Sequence, residues 1–286
     1  MPWPSLVAAA LVLPVQLLAV GAVLALGLVP ATGVGLLPLD LHPVLFVPAQ
    51  LGLLAIPLVA AWLSPEPLRA RLGLVAKMPN NSVPWAILGA IASTQAALFA
   101  FCLLWPDAVF GVEQARLHAT APSALLGWGT VLAASLLPAI GEELLFRGFL
   151  LRGLNKAWGP IPAVLLSALL FGLAHGVDAS LPGRLGIGLV LGFAAVRTGS
   201  VRPGMVAHGV NNLLYIGWQV WLPFGWASAL TSTGHSLALG LSLSLVLLSL
   251  LRLRSARPSP VDSPGSWSPT RYRPAWLRLR TSSTPR

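Results

Sequence analysis

Eight apolar segments constrain the fold of this chain more than any other feature of its sequence. Most of them approach the length of about 20 residues that a helix needs to cross the hydrocarbon core of a bilayer, and the fifth and sixth are short. Inside a bilayer the backbone N–H and C=O groups must be bonded within the protein, which favours helices for segments of this length. The sequence therefore predicts an all-α fold, a polytopic membrane helix bundle with about eight transmembrane helices, at Ser5–Val29, Val44–Leu63, Trp85–Trp105, Ser123–Phe149, Ile161–His175, Arg184–Val196, Pro203–Leu222 and His235–Leu251.

The composition excludes an ordinary soluble domain. Hydrophobic residues make up 56% of the chain and charged residues 9%, whereas soluble domains carry about 25% charged residues. The net charge of +10 is concentrated at one end, because eight of the eighteen Lys and Arg residues lie after residue 251, directly behind the last apolar segment. This distribution indicates contact with anionic lipid headgroups and predicts no nucleic-acid partner.

Basic residues also alternate between the connections. Residues 30–43 and 223–234 contain neither Lys nor Arg, whereas residues 64–84, 150–160 and 197–202 each contain at least two. By the positive-inside rule, both termini and these three basic connections are predicted to be cytoplasmic.

The chain divides into four parts. Residues 1–119 contain transmembrane segments without a recognisable motif, and residues 120–222 carry the polar motifs described below. Residues 223–254 contain the last transmembrane helix, and residues 255–286 form a basic tail rich in Pro, Ser and Arg, predicted to be disordered or to lie on the membrane surface. The only cysteine, Cys102, excludes an internal disulfide.

Two adjacent carboxylates, Glu142 and Glu143, end an apolar stretch that begins at Ser123. A charged side chain in the middle of a membrane helix costs about 2.5 to 3.5 kcal/mol on insertion scales, so such a residue indicates a functional site with a partner. Arg147 stands four residues after Glu143, which predicts an ion pair on one helix face. Glu142 points about 100° away and must find another partner.

Further polar groups interrupt two other apolar segments. Phe171 and His175 lie one turn apart in the fifth segment, and His208 and Asn212 lie one turn apart in the seventh. A single membrane histidine or asparagine often does no more than bond a neighbouring helix. The joint occurrence of these groups with Glu142 favours a shared site.

These groups supply the chemistry for amide hydrolysis. A carboxylate beside a histidine can deprotonate a water molecule, and His208 with the Asn212 amide can donate hydrogen bonds to the oxyanion that forms. No Gly-x-Ser-x-Gly motif indicates a nucleophilic serine. Glu142, His175 and His208 are also suitable zinc ligands, although the chain lacks His-Glu-x-x-His, and their spacing leaves both mechanisms open.

Three spaced motifs carry a family resemblance. In chain order they are Glu142-Glu143-x-x-x-Arg147, Phe171-x-x-x-His175 and His208-x-x-x-Asn212. Together they resemble the CPBP superfamily, which comprises the type II CAAX prenyl endopeptidases and the bacterial Abi proteins, over roughly residues 120–220.

The resemblance implies an eight-helix intramembrane endopeptidase of the bacterial inner membrane that acts on a membrane-associated peptide or protein. It implies that Glu142 activates water with His175 as its partner, and that His208 and Asn212 stabilise the oxyanion. Glu143, Arg147 and Phe171 would support them. It favours a mechanism without a metal, with zinc as the alternative.

Two other functions remain open from the sequence. A non-catalytic membrane scaffold or bacteriocin-immunity protein of the same fold would sequester a peptide, and a transporter would use Glu142 and the histidines as a proton relay. One geometric difficulty also follows from a rise of 1.5 Å per residue. Glu142 and His208 are expected near the cytoplasmic side of their helices, whereas His175 is expected toward the far end of its helix.

Overall fold

The computed structural model describes residues 43–105, 128–221 and 230–256, apart from residues 65, 77, 80, 176, 178 and 179. This part of the chain is all-helical, as the sequence predicts. The predicted span Ser5–Val29 and the basic tail after residue 256 lie outside the described residues. The α-helices are α1 Pro43–Trp62, α2 Leu68–Arg71, α3 Ser82–Leu104, α4 Trp128–Glu142, α5 Arg152–Trp158, α6 Pro160–Ala174, α7 Leu181–Thr198, α8 Arg202–Trp221 and α9 Ser232–Arg254, and a π-helix occupies Glu143–Leu151.

Three helices in the described ranges, α3, α7 and α9, are long and apolar enough to cross a membrane, and apolar stretches in α1 and α6 are shorter. These apolar helices indicate an integral, multi-pass membrane protein.

The fourth predicted segment is longer than expected. Helical backbone runs without a break through α4, the π-helix and α5, and a turn follows at Gly159, whose φ of 83° favours glycine. The predicted connection at residues 150–160 is therefore helical as far as Trp158, with Arg152 and Lys156 on that helix, and its turn comes only at Gly159. Leu154 on that helix is fully buried, so packing continues beyond the apolar run.

This long run removes the difficulty with His175. The turn at Gly159 lies about as many residues after Glu142 as it lies before His175, so α6 runs back along the preceding helix to the level of Glu142. The expectation that His175 lies at a different depth from Glu142 assumed a helix that ends near Phe149. The start of α6 at Pro160, directly after this turn, accounts for their proximity.

The three basic connections meet at one end of the bundle. Arg152 Nη1 donates to the carbonyl of Gly199 at 3.0 Å, and Arg202 Nη2 donates to the carbonyl of Leu74 at 2.7 Å. Lys156 also forms an ion pair with Glu66. These contacts join parts of the connections that the alternation of charge assigns to a single side of the membrane.

Small residues allow the helices to approach closely at their crossings. A Cβ atom at Gly188 of α7 would lie 3.0 Å from the Cα of Ala168 in α6. At Gly89 of α3, a Cβ atom would lie 2.8 Å from Val190 Cγ1 of α7 and still closer to the hydroxyl of Ser249 in α9. Close approach at small residues is the usual way in which membrane helices gain packing energy.

We expect Gly89→Ala to destabilise the bundle, because the added methyl group overlaps atoms of two neighbouring helices. Overpacking of this kind costs about 1 to 3 kcal/mol. Gly240→Ala is the matched control, since no atom lies within 4 Å of a Cβ atom built there. Unfolding in mixed micelles with increasing SDS measures both variants, and equal midpoints would contradict this description of the crossing.

Candidate active site

Glu142 lies between two imidazole rings from other parts of the chain. Its Oε2 atom is 3.5 Å from His175 Nε2 and 3.8 Å from His208 Nε2. Both distances exceed the usual N–H···O length of about 2.9 Å, so neither contact is a well-formed hydrogen bond. They do lie within the reach of a bridging water molecule. The structure thus brings together the three residues that the sequence predicts to share a site.

Glu143 has a different set of partners. Its Oε1 atom accepts a hydrogen bond from Arg147 Nη1 at 2.6 Å and another from His208 Nδ1 at 3.1 Å. The side chains of Glu143 and Arg147 are completely inaccessible, and the ion pair joins residues i and i+4 as predicted. Arg147 Nη2 also donates to the carbonyl of Gly188 in α7 at 3.4 Å. His208 therefore contacts both glutamates, one through each ring nitrogen.

Phe171 is the apolar centre of the site. Its ring lies edge-on to His208 with centroids 5.6 Å apart, and it lies 4.9 Å from the His175 ring. The guanidinium carbon of Arg147 is 4.4 Å from the Phe171 centroid, which is cation–π geometry. One aromatic ring therefore restrains both histidines and the buried arginine.

The end of α6 orients His175. The helix ends at Ala174, and the His175 ring folds back so that Nδ1 lies 2.8 Å from the carbonyl oxygen of Phe171. A carbonyl oxygen can only accept, so Nδ1 carries the hydrogen and Nε2 faces Glu142. Arg184 Nη1 donates to the backbone carbonyl of His175 at 3.2 Å and holds the same turn from α7.

The tautomer of His208 follows from its carboxylate partner in the same way. Nδ1 donates to Glu143, because an ionised carboxylate bonded to Arg147 can only accept. Nε2 then faces Glu142 as an acceptor in the neutral ring and as a donor in the imidazolium form. His208 can therefore donate at Nε2 only when the ring is doubly protonated.

Asn212 lies one turn beyond His208 on α8. Its amide nitrogen is 3.4 Å from the carbonyl oxygen of Ser135, a long hydrogen bond to α4, and the amide has a second hydrogen. The neighbouring Asn211 accepts a hydrogen bond from Thr94 Oγ1 of α3 at 3.1 Å. The two asparagines thus contact different helices.

His175 is the most exposed of the three residues around Glu142. The His175 side chain is 33% exposed, compared with 9% for Glu142 and 5% for His208.

The sequence motifs do not include Gly204, which allows α8 to lie close to Glu143. A Cβ atom there would lie 2.6 Å from Glu143 Oε2. Gly204 precedes His208 by four residues, so the two share a helix face. The signal in the sequence was a glycine one turn before a membrane histidine.

Zinc would require three converging ligands. Glu142, His175 and His208 approach one another, but no group of three or more His, Cys, Asp or Glu side chains in the described ranges is arranged to hold a metal ion. A carboxylate and two imidazoles are nevertheless ligand types that zinc uses, so zinc stays the alternative to a mechanism without a metal.

Part of the chain is similar to a known protein family. Residues 122–214 match the family described as Type II CAAX prenyl endopeptidase Rce1-like. This range contains every residue of the three motifs. No curated protein and no solved structure matches the chain.

We expect Arg147→Met to destabilise the protein strongly, because it leaves the buried Glu143 carboxylate without its cation. Breaking a buried ion pair costs about 3 to 5 kcal/mol. The double variant Glu143→Gln/Arg147→Met removes both charges and should recover much of that loss. SDS unfolding midpoints measure the difference, and a double variant less stable than Arg147→Met would contradict the pairing.

Proposed function

We propose that this membrane protein is an intramembrane endopeptidase. It hydrolyses a peptide bond in a membrane-associated protein or peptide. The proposal starts from the match of residues 122–214 to the family described as Type II CAAX prenyl endopeptidase Rce1-like. The observation that carries the proposal is the position of Glu142, a buried carboxylate with His175 Nε2 at 3.5 Å and His208 Nε2 at 3.8 Å.

Glu142 and His175 hold the attacking water molecule. The water donates one hydrogen bond to the carboxylate and the other to His175 Nε2, which is an acceptor because the ring hydrogen is on Nδ1. Glu142 removes a proton as the water oxygen attacks the scissile carbonyl carbon. It returns that proton to the amide nitrogen as the carbon–nitrogen bond breaks, so no covalent intermediate with the enzyme is required.

His208 and Asn212 stabilise the oxyanion of the tetrahedral intermediate. Imidazolium His208 donates from Nε2, while its Nδ1–H stays bonded to Glu143. With Glu142, Glu143 and Arg147 ionised, an imidazolium at His208 gives the buried cluster two negative and two positive charges. Asn212 contributes the amide hydrogen that Ser135 leaves unused. Donors fixed before the reaction stabilise developing negative charge without reorganisation.

Glu143, Arg147 and Phe171 are supporting residues. The Glu143 carboxylate keeps the His208 hydrogen on Nδ1, and Arg147 compensates the Glu143 charge. The Phe171 ring packs against both histidines. None of these side chains has to contact the substrate in the proposed reaction.

The membrane arrangement is part of the proposal. The chain has about eight transmembrane helices, with both termini and the end that carries Arg152 and Arg202 in the cytoplasm. The convergence of three basic connections at one end of the bundle supports this orientation. The four parts of the chain are those defined from its sequence. The basic tail 255–286 contacts the anionic headgroups, and the site is open to substrates in or on the bilayer.

A non-catalytic scaffold or immunity protein is the second candidate, because a peptide-binding bundle could retain the same fold. The candidates differ in what they require of Glu142. A scaffold needs no base between two imidazoles, whereas a hydrolase does.

We expect Glu142→Gln to reduce hydrolysis by at least about 100-fold, the lower range for loss of a general base. His175→Ala and His208→Ala should each have comparable effects. The measurement uses proteoliposomes containing farnesylated and unmodified forms of one peptide, with products identified by mass spectrometry. Glu66→Gln is the matched control, since it makes the same change in a carboxylate paired with Lys156.

Full activity in Glu142→Gln would remove the proposed reaction. The same assay after exhaustive chelation, with elemental analysis of the purified protein, tests the alternative with zinc. We expect unchanged activity and no stoichiometric metal. Loss of activity on chelation and its recovery with zinc would favour the metal mechanism.

We expect Gly204→Ala to lower the turnover rate by about tenfold or more, because a Cβ atom 2.6 Å from Glu143 Oε2 must displace that carboxylate and with it His208. Gly183→Ala is the matched control, since its Cβ atom would be 3.4 Å from Ala97 Cβ, close to an ordinary contact. Steady-state kinetics in the same proteoliposomes measures both variants, and equal turnover would contradict the role of Gly204.

A further inference from the structure

The π-helix at Glu143–Leu151 is an unusual element at a critical position. All nine of its residues are buried. π-Helices are rare, and most are single turns within α-helices, frequently at functional sites. This one begins at the second glutamate of the site and includes Arg147.

Two consecutive glutamates lie at the site where α4 passes into the π-helix. Neighbouring residues of an α-helix point about 100° apart, which would direct one carboxylate away from the other. A π-helix turns less per residue, because its hydrogen bonds join i and i+5. In the structure Glu142 and Glu143 are both buried and both lie beside His208.

Side chains from outside the π-helix bond to its backbone. Ser167 Oγ of α6 donates to the carbonyl of Phe146 at 3.0 Å. Arg71 Nη1 of α2 donates to the carbonyl of Phe149 at 3.0 Å, and its guanidinium carbon lies 4.0 Å from the centroid of the Phe149 ring. Burial, opposed by Glu66 and assisted by Arg152, lowers the pKa of Arg71 to about 10. Arg71 therefore stays charged at neutral pH, and its hydrogen bond is of the stronger, charge-assisted kind.

The segment that carries Arg71 is itself held against the π-helix. At Gly148, in the middle of the π-helix, a Cβ atom would lie 2.8 Å from the carbonyl oxygen of Leu72. Val201 N donates to the carbonyl of Gly73 at 3.2 Å, and Arg202 donates to that of Leu74. Arg71 is therefore fixed by contacts on both sides.

We propose that Arg71 and Ser167 are positioning residues that hold the π-helix in register and thereby align Glu142 and Glu143 with His208. Arg71 lies outside residues 122–214, so a helix outside the family-matched region supports the site. The kinetic part of this inference rests on the proposed function, whereas its structural part does not.

Two readouts test the inference. The first is hydrogen–deuterium exchange of the amides at residues 143–151 in the full-length protein. The second is the separation of kcat from KM for the farnesylated and unmodified peptides in proteoliposomes. In Arg71→Met and Ser167→Ala we expect about tenfold faster exchange of these amides and about tenfold lower kcat. Each variant loses a hydrogen bond from a charged or buried side chain, and a loss of that kind has an effect of about this size. KM should stay within about twofold, because the substrate contacts are retained.

Two comparisons separate positioning from general destabilisation. Arg69→Met removes an exposed arginine from the same short helix and should leave both readouts unchanged. Ser167→Cys keeps a weak donor and should lie between wild type and Ser167→Ala. Exchange in α9 serves as an internal reference and should not change.

The outcomes separate the two proposals. If wild type shows no hydrolysis that depends on Glu142, the proposed function fails, and exchange at residues 143–151 still decides the role of Arg71 and Ser167. Wild-type exchange in both Arg71→Met and Ser167→Ala would overturn the inference. It would also be overturned if Arg69→Met had the same effects as Arg71→Met. If Arg71→Met does not fold, Ser167→Ala decides alone.

Discussion

The buried ion pair between Glu143 and Arg147 is the interaction on which the rest of the site depends. Two charges with no accessible surface are stable only when each is compensated and its hydrogen bonds are satisfied. Here the carboxylate also accepts from His208, and the guanidinium lies against the Phe171 ring and bonds the backbone of α7. A single pair therefore ties the π-helix to α6, α7 and α8.

The length of the helical run determines where the remaining groups meet. Because helix extends from Trp128 through the π-helix to Trp158, the turn at Gly159 lies midway between Glu142 and His175. Just after the end of α6, the imidazole of His175 folds back onto the carbonyl of Phe171, four residues earlier, which leaves Nε2 toward Glu142. Backbone geometry and one hydrogen bond thus give His175 both its depth and its tautomer.

Much of this arrangement could be predicted from the sequence, because burying charge in an apolar helix is costly and therefore informative. The all-helical fold, the Glu143–Arg147 pair and the proximity of Glu142, His175 and His208 all follow from polar residues in apolar segments. The π-helix and the helix over Arg152–Trp158 were not predicted. The π-helix was missed because the spacing of apolar residues does not distinguish a π-helix from an α-helix over nine residues. The helix Arg152–Trp158 was missed because charged residues mark where a helix leaves the apolar layer of the membrane, and a helix can continue beyond that point.

Arg71, Ser167 and Gly204 were not predicted for a related reason. Their contacts with Phe149, Phe146 and Glu143 depend on tertiary approach and have no spacing signal within one helix. Of these three residues, only Gly204 has a recognisable signal in the sequence, as a small residue one turn before His208. Residues that position a site from neighbouring helices are therefore harder to find in a sequence than the charged residues of the site.

The most direct test of this account is chemical cross-linking in native membranes, in a Cys102→Ser background. The pairs Glu142→Cys/His175→Cys and Glu142→Cys/His208→Cys are treated with a short bifunctional thiol reagent. Glu66→Cys/Lys156→Cys is the positive control. The account predicts that both site pairs link as the control does. If the control links and neither site pair does, the three residues do not share a site.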